Sequence, residues 1–218
     1  DLPYPLRRQR QMCIRDSCNG LSNGVITAVA GGGTVGSGYQ YAICSGAGCT
    51  SFGSNQAGTT FTVGAGTYRV RVTDGNGCQA NSADIVVTQP PALTSIGSVT
   101  TPLLCVGATT AVITALAGGG TVGSGYQYAI CSGAGCTTFG SNQVGATFTV
   151  GAGTYRVRVT DGNGCQASST DIVVTQPTAV TSSGSVTTAI TCNGLTNGVI
   201  TALAGGGTVG SGYQYAIC

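Results

Sequence analysis

The chain has no histidine, lysine, glutamate or tryptophan, and charged residues make up only 6% of its 218 positions. Each absence removes a chemistry. Without histidine, Ser-His-Asp and Cys-His arrangements are impossible. General acid–base work would fall to an isolated aspartate. The segment is therefore expected to be non-catalytic, with no catalytic residue assigned. Counterion release from a phosphate backbone needs clustered Lys and Arg, so no nucleic-acid partner is expected. No apolar run reaches about eighteen residues, so no membrane insertion of this segment is expected. All eight basic residues are arginine, and Arg7, Arg8, Arg10 and Arg15 sit near the start beside Asp1 and Asp16. Beyond Ser17, four arginines (Arg69, Arg71, Arg156, Arg158) face four aspartates (Asp74, Asp84, Asp161, Asp171), a net charge of zero.

What the chain does have is a repeat. Cys18, Cys105 and Cys192 stand 87 residues apart, as do Cys44, Cys131 and Cys218, and the steps Cys49 to Cys136 and Cys78 to Cys165 match. Thr34 to Thr50 recurs unchanged at Thr121 to Thr137. A period of 87 residues is domain-sized rather than solenoid-sized, so each copy can hold its own core. The expected organisation is a first repeat at 18–91 lacking its leading strand, a complete second at 92–178, and a truncated third at 179–218. Arg7 to Ser17 resembles the translation of a transposase-type sequencing adapter. Residues 1–17 are accordingly set aside from fold reasoning and expected to pack on nothing.

Glycine (38 residues), with threonine, serine, alanine and valine, suits all-β domains with many tight turns. Within the complete repeat, Leu93 to Thr101, Val112 to Ala117, Tyr126 to Ile130, Phe148 to Val150, Thr154 to Thr160 and Asp171 to Gln176 read as strands. Gly118-Gly119-Gly120 breaks the ladder and marks a bend. Tyr155, Val157 and Val159 alternate with Arg156 and Arg158, one set inward and one outward. Asp161-Gly162-Asn163-Gly164 reads as a hairpin turn. About seven short strands point to tandem immunoglobulin-like antiparallel β-sandwiches, and Gly-Thr-Tyr suggests a tyrosine corner.

Four cysteines per unit without histidine point to disulfides and an oxidising, extracellular compartment. The spacing is a poor fit to zinc, and neither metal nor cofactor is assigned. Cys44–Cys49 and Cys131–Cys136 are the first choice, as staples across a tight connection. Cys18–Cys78 and Cys105–Cys165 then follow by elimination, although four cysteines allow three connectivities and an immunoglobulin order can set those two turns at opposite ends.

The motifs Cys18 to Gly24, Gly31-Gly32, Tyr39-Gln40-Tyr41, Gly66 to Cys78 and Thr88-Gln89-Pro90 together resemble the SprB repeat of large surface adhesins in gliding Bacteroidota. The resemblance covers the chain after Ser17. It implies an exported, cell-surface spacer array serving attachment or gliding motility, with secretion by a type IX system. Ile43 and Ile130 depart from it, standing where the family often has Trp, and the Cys44/Cys49 pair is an addition. The second unit replaces the Asn-Gly turn with Val106 to Ala111. The expected partners are neighbouring repeats of the same chain.

A competing reading is a weak multivalent module for surface glycans or proteins. Arg69 and Arg71, on an outward strand face, are its candidate anionic-glycan contacts, and Tyr39 and Tyr41 its stacking pair. The structural alternatives are a solvated face for the arginines and core packing for the tyrosines. A further alternative is an accessory region of a secreted hydrolase. Asp74-Gly75-Asn76-Gly77 reads as a turn rather than a calcium loop. Gly31 to Gly38 reads as a loop rather than a phosphate cradle.

Overall fold

The structure is a computed structural model describing residues 17–36 and 38–218, together with the backbone of Met12–Ile14. The described residues form strands and no helix. In order these are β1 (Met12–Ile14), β2 (Gly24–Thr27), β3 (Gln40–Ser45), β4 (Thr60–Val63), β5 (Gly66–Thr73), β6 (Gln79–Asn81) and β7 (Ile85–Val87). There follow β8 (Thr94–Thr101), β9 (Ala111–Gly118), β10 (Gln127–Ser132), β11 (Thr147–Val150), β12 (Gly153–Thr160), β13 (Gln166–Ser168) and β14 (Ile172–Val174). The last two are β15 (Thr181–Thr188) and β16 (Val199–Gly205). Each of β2 to β7 begins 87 residues before its counterpart among β9 to β14.

The strand order is immunoglobulin-like. One sheet runs β1-β2-β4, and a second runs β3-β5-β6 with β7 also on β5. The later strands repeat the scheme as β11-β9-β8 and β10-β12-β13 with β14 on β12. These are the A-B-E and C-F-G sheets of that fold, with the last strand in two pieces. Among the described residues β15 and β16 pair only with each other.

The chain divides into two compact units. The first takes the described residues up to Thr94 with Gly118–Tyr126 and Thr160–Gln166; the second takes Ser95–Ala117, Gln127–Val159 and Ala167–Cys218. In the first, Ile26, Tyr41, Phe61, Val70, Val72, Ile85 and Val87 form the core. In the second the core is Leu103, Ala111, Ile113, Ala115, Val157, Ile172 and Val174. Both follow the two-residue period of a strand. Val70 and Val72 are buried while Arg69 and Arg71, which alternate with them, point the other way.

Where the last strand splits, a side chain replaces the ladder. Ser82 N donates to Val70 O at 2.8 Å. Val70 N in return donates to the Ser82 hydroxyl at 2.9 Å, and that hydroxyl donates to Ala83 O at 2.7 Å. The buried serine thus completes the pairing that an interrupted strand would lose. Ser169 does the same for Val157 at 3.1 Å.

The glycine bend after β9 has a steric reason as well as a conformational one. Gly119 has φ +71°, and a Cβ there would lie 1.9 Å from Ala92 O. Gly120 N donates to Pro91 O at 2.9 Å, so the chain entering β8 lies directly against this bend.

Contrary to the expectation that residues 1–17 pack on nothing, those described here join the fold; 1–11 and 15–16, and the side chains of Met12, Cys13 and Ile14, lie outside the described residues. Met12–Ile14 pairs antiparallel with β2, with Cys13 opposite Ile26. Ser17 is also held, its N donating to Asn23 Oδ1 at 3.0 Å. The cause is the sheet edge. Without a leading strand of its own, β2 would present unpaired N–H and C=O groups, and such an edge pairs with whatever extended chain lies beside it.

Candidate functional site

Arg69 and Arg71 lie on the outer face of the β3-β5-β6 sheet, and both are engaged within the fold. Arg69 Nε donates to Ser82 O at 3.0 Å and lies 3.5 Å from Asp84 Oδ1, while Nη1 donates to Cys49 O at 3.4 Å. Asp84 in turn accepts Gly48 N at 3.1 Å. The Arg71 guanidinium stacks 4.8 Å from the Phe52 ring centroid and donates to Asn55 Oδ1 at 3.3 Å. Arg156, Arg158, Asp171, Phe139 and Asn142 reproduce these contacts.

What covers this face is the segment between β3 and β4, which starts with the tight connection from Cys44 to Cys49. Tyr41 and Gln56 exchange backbone hydrogen bonds at 2.7 and 2.8 Å, and Gly53 N donates to Ile43 O at 3.0 Å. The segment therefore runs beside β3, and the Cys44–Cys49 disulfide closes its start. Cys131–Cys136 closes the matching turn. The signal was present in Phe52 and Asn55, spaced to meet an outward arginine.

Tyr41 is a core residue, and Tyr39 packs partly buried against the same cluster. The Tyr39 hydroxyl donates to Gly32 O. Burial first, and the neighbouring Tyr39 second, push the Tyr41 phenol above its ordinary pKa. Two tyrosine corners are formed. Tyr68 OH donates to Gly64 O at 3.1 Å, and Tyr155 OH to Gly151 O at 3.2 Å, each four residues back.

The remaining motif residues build the two ends of the first sandwich. At one end, Asp74 Oδ2 accepts Thr34 N, and its Oδ1 accepts Asn76 N and Cys78 N, all at 2.9 Å. The Thr34 and Cys78 amides, ahead of that of Asn76, hold the carboxyl below the usual range, while burial opposes them. A Cβ on Gly33 would meet the same carboxylate at 2.6 Å, so the glycine that follows the Gly31-Gly32 motif makes room for it. At the other end, Gly20 N donates to Gln89 Oε1 at 2.8 Å and Asn19 Nδ2 to Pro90 O at 3.0 Å. This contact ties Cys-Asn-Gly to Thr-Gln-Pro.

These two ends explain a correction. Cys18 and Cys78 are not bonded: the β1–β2 turn carrying Cys18 lies by Gly64, whereas the turn carrying Cys78 lies by Gly33 and Thr34, at the opposite end. Cys18 instead joins Cys165, 147 residues on and within the same compact unit, with Cα atoms 5.7 Å apart. The Cys105–Cys165 pair is therefore absent too, and Cys78, Cys105, Cys192 and Cys218 are exposed free thiols. Asn163 Nδ2 reinforces the junction by donating to Ser17 O at 2.8 Å. An open cleft of about 460 Å³ lies beside the bond, lined by Asn19, Leu21, Ala92, Leu93, Gly164 and Gln166. Among the described residues no group of three or more His, Cys, Asp or Glu is placed to hold a metal.

No family model matches the chain, and no curated protein matches it. Solved structures do. One is a C-terminal 282-residue fragment of intimin in complex with the intimin-binding domain of its translocated receptor. It is 12% identical at a TM-score of 0.41, over 81% of this chain and 66% of that one, just under two thirds of its length. The fibronectin(III)-like modules of Clostridium thermocellum CbhA are 15% identical over 76% and 95% of the two chains, at 0.31. Extracellular domains 3–5 of Drosophila OTK are 17% identical over 84% and 68%, at 0.28. Strand order and the tyrosine corners define the fold of this chain as immunoglobulin-like.

Proposed function

We propose that the chain is a non-catalytic spacer segment of an exported bacterial surface adhesin, built from immunoglobulin-like repeats at 18–91, 92–178 and 179–218 and used in attachment or gliding. One observation carries this reading. Between Ser17 and Pro91 every charged side chain is engaged in the fold: Arg69 with Asp84, Arg71 on Phe52, and Asp74 on three backbone amides. A surface kept neutral, with its charged groups turned onto the fold, suits a stalk, which must resist sticking and unfolding more than recognise. The disulfides fit an oxidising compartment, and the motif resemblance to SprB repeats supplies the adhesin context.

The binding-module reading has less support. Its candidates Arg69, Arg71, Tyr39 and Tyr41 would have to give up intramolecular contacts to reach a ligand. Small-angle scattering of the whole chain, with a glycan array on the same sample, tests the proposal. An extended particle without glycan binding is expected; tight binding of a defined sugar, lost in Arg71→Ala, overturns it.

A further inference from the structure

The Cys18–Cys165 bond has a register. Cys165 is the counterpart of Cys78, and Cys18 of Cys105 and Cys192, each at the 87-residue step. The bond thus joins the β1–β2 turn of one copy to the Asp-Gly-Asn-Gly-Cys turn of the next. The counterpart turns are built alike. Cys78 N and Cys165 N each donate to Oδ1 of their own turn aspartate at 2.9 Å. Leu21 N, Ala108 N and Leu195 N reach back to the carbonyls of Cys18, Cys105 and Cys192 at 3.4, 3.4 and 3.2 Å. Gln89 and Gln176 accept Gly20 N and Gly107 N at 2.8 and 2.9 Å.

The unfilled positions show what is missing. Asn163 donates to Thr121 Oγ1 at 3.1 Å and also to Ser17 O, beside the bonded cysteine. Asn76 makes the matching contact to Thr34 Oγ1 at 2.9 Å, with no second acceptor among the described residues. Its neighbour Cys78 is an exposed thiol, as are Cys105 and Cys192. The chain therefore presents both halves of a joint that it closes once.

We propose that Cys78 of one copy of this chain and Cys105 or Cys192 of a second copy form this same disulfide, coupling copies head to tail. The contact is heterologous, so it extends rather than closes. The inference rests on the array reading above. The oxidant is a small disulfide such as oxidised glutathione. One protein thiolate attacks it and releases one small thiol. The partner thiolate then displaces a second small thiol from the mixed disulfide. Two protein thiols lose two protons and two electrons, and the oxidant is reduced to two thiols.

The test uses the full chain with Cys13→Ser and Cys218→Ser to remove the cysteines outside the joint. It is incubated with oxidised glutathione, run on a non-reducing gel, and mapped by peptide mass. A ladder is expected, with Cys78 joined to Cys105 or Cys192, and Cys78→Ser should abolish it. All three thiols are exposed, and mapping the unsubstituted chain guards against a variant that misfolds. Monomer with Cys78 free, Cys78–Cys78 links, or Cys18 bonded to Cys78 overturns the proposal. Scattering by the monomer reports the spacer reading separately.

Discussion

Val-Ile-Thr-Ala-Leu-Ala-Gly occurs twice, at Val112 to Gly118 in β9 and Val199 to Gly205 in β16. The two are the same strand by sequence and hydrogen bonding. Thr100 meets Thr114 through their hydroxyls at 2.8 Å, and Thr187 meets Thr201 at 3.0 Å. Their burial differs completely. Ile113 is 0% exposed, packed with Val157, Ile172 and Val174, whereas Ile200 is 57% exposed in a two-stranded hairpin. For this segment strand formation and cross-strand pairing come from local sequence; its burial comes from an opposing sheet, and most of the stability comes with it.

Matched substitutions in β9 and β16 separate pairing from burial. Ile113→Ala should destabilise by about 2–5 kcal/mol, and Ile200→Ala should stay within about 0.5 kcal/mol of the parent. Denaturant unfolding followed by circular dichroism measures both, and equal losses would mean that the hairpin packs on something in solution. Next in size, replacing Cys131 and Cys136 together by Ser should cost about 2 kcal/mol, given the short loop the bond closes. Cys218→Ser, at the counterpart position but with a free thiol, should change nothing in the same assay. Smaller again, Tyr155→Phe should cost about 1 kcal/mol by leaving Gly151 O without its donor, read as a lower unfolding midpoint. The hairpin has no equivalent corner to lose.

The smallest effect is one of pH. The Thr34 and Cys78 amides hold Asp74 below the ordinary carboxylate range. Its folded pKa is depressed, so its contribution is complete above about pH 4 and is lost as pH falls through the folded value. Acid titration should weaken the first sandwich, and Asp74→Asn should flatten that dependence. Residues 179–218 carry no charged side chain, and spectroscopic signals assigned to the hairpin should not move with pH.

Much of the fold was legible. The alternation around Val157 and Val159, the Asp-Gly-Asn-Gly turn and the Gly-Thr-Tyr corner each encode their structure within a few residues. β13 was missed because Gln-Ala-Ser has no pattern of its own and is a strand only because β12 offers it an edge. The role of Ser82 was hidden because a buried serine reads like a surface one. The outward placement of Arg69 and Arg71 was right, but what lies over them depends on how the segment after Cys49 turns back. The Cys18 partner was unreadable from spacing, since spacing ranks nearby cysteines and the outcome depended on which ends of the fold meet.

The bend after β9 has an evolutionary consequence. Gly119 cannot accept a side chain, because its Cβ would sit 1.9 Å from Ala92 O, and Gly206 is in the same position against Ala179 O. Gly36 and Gly123 have nothing within 4 Å and no left-handed backbone requirement. Descendants of this gene should therefore lose glycines unevenly, the open ones drifting first to serine or alanine and the wedged ones persisting. A repeat that seems uniformly glycine-rich would diverge into a few fixed hinges in an otherwise ordinary loop.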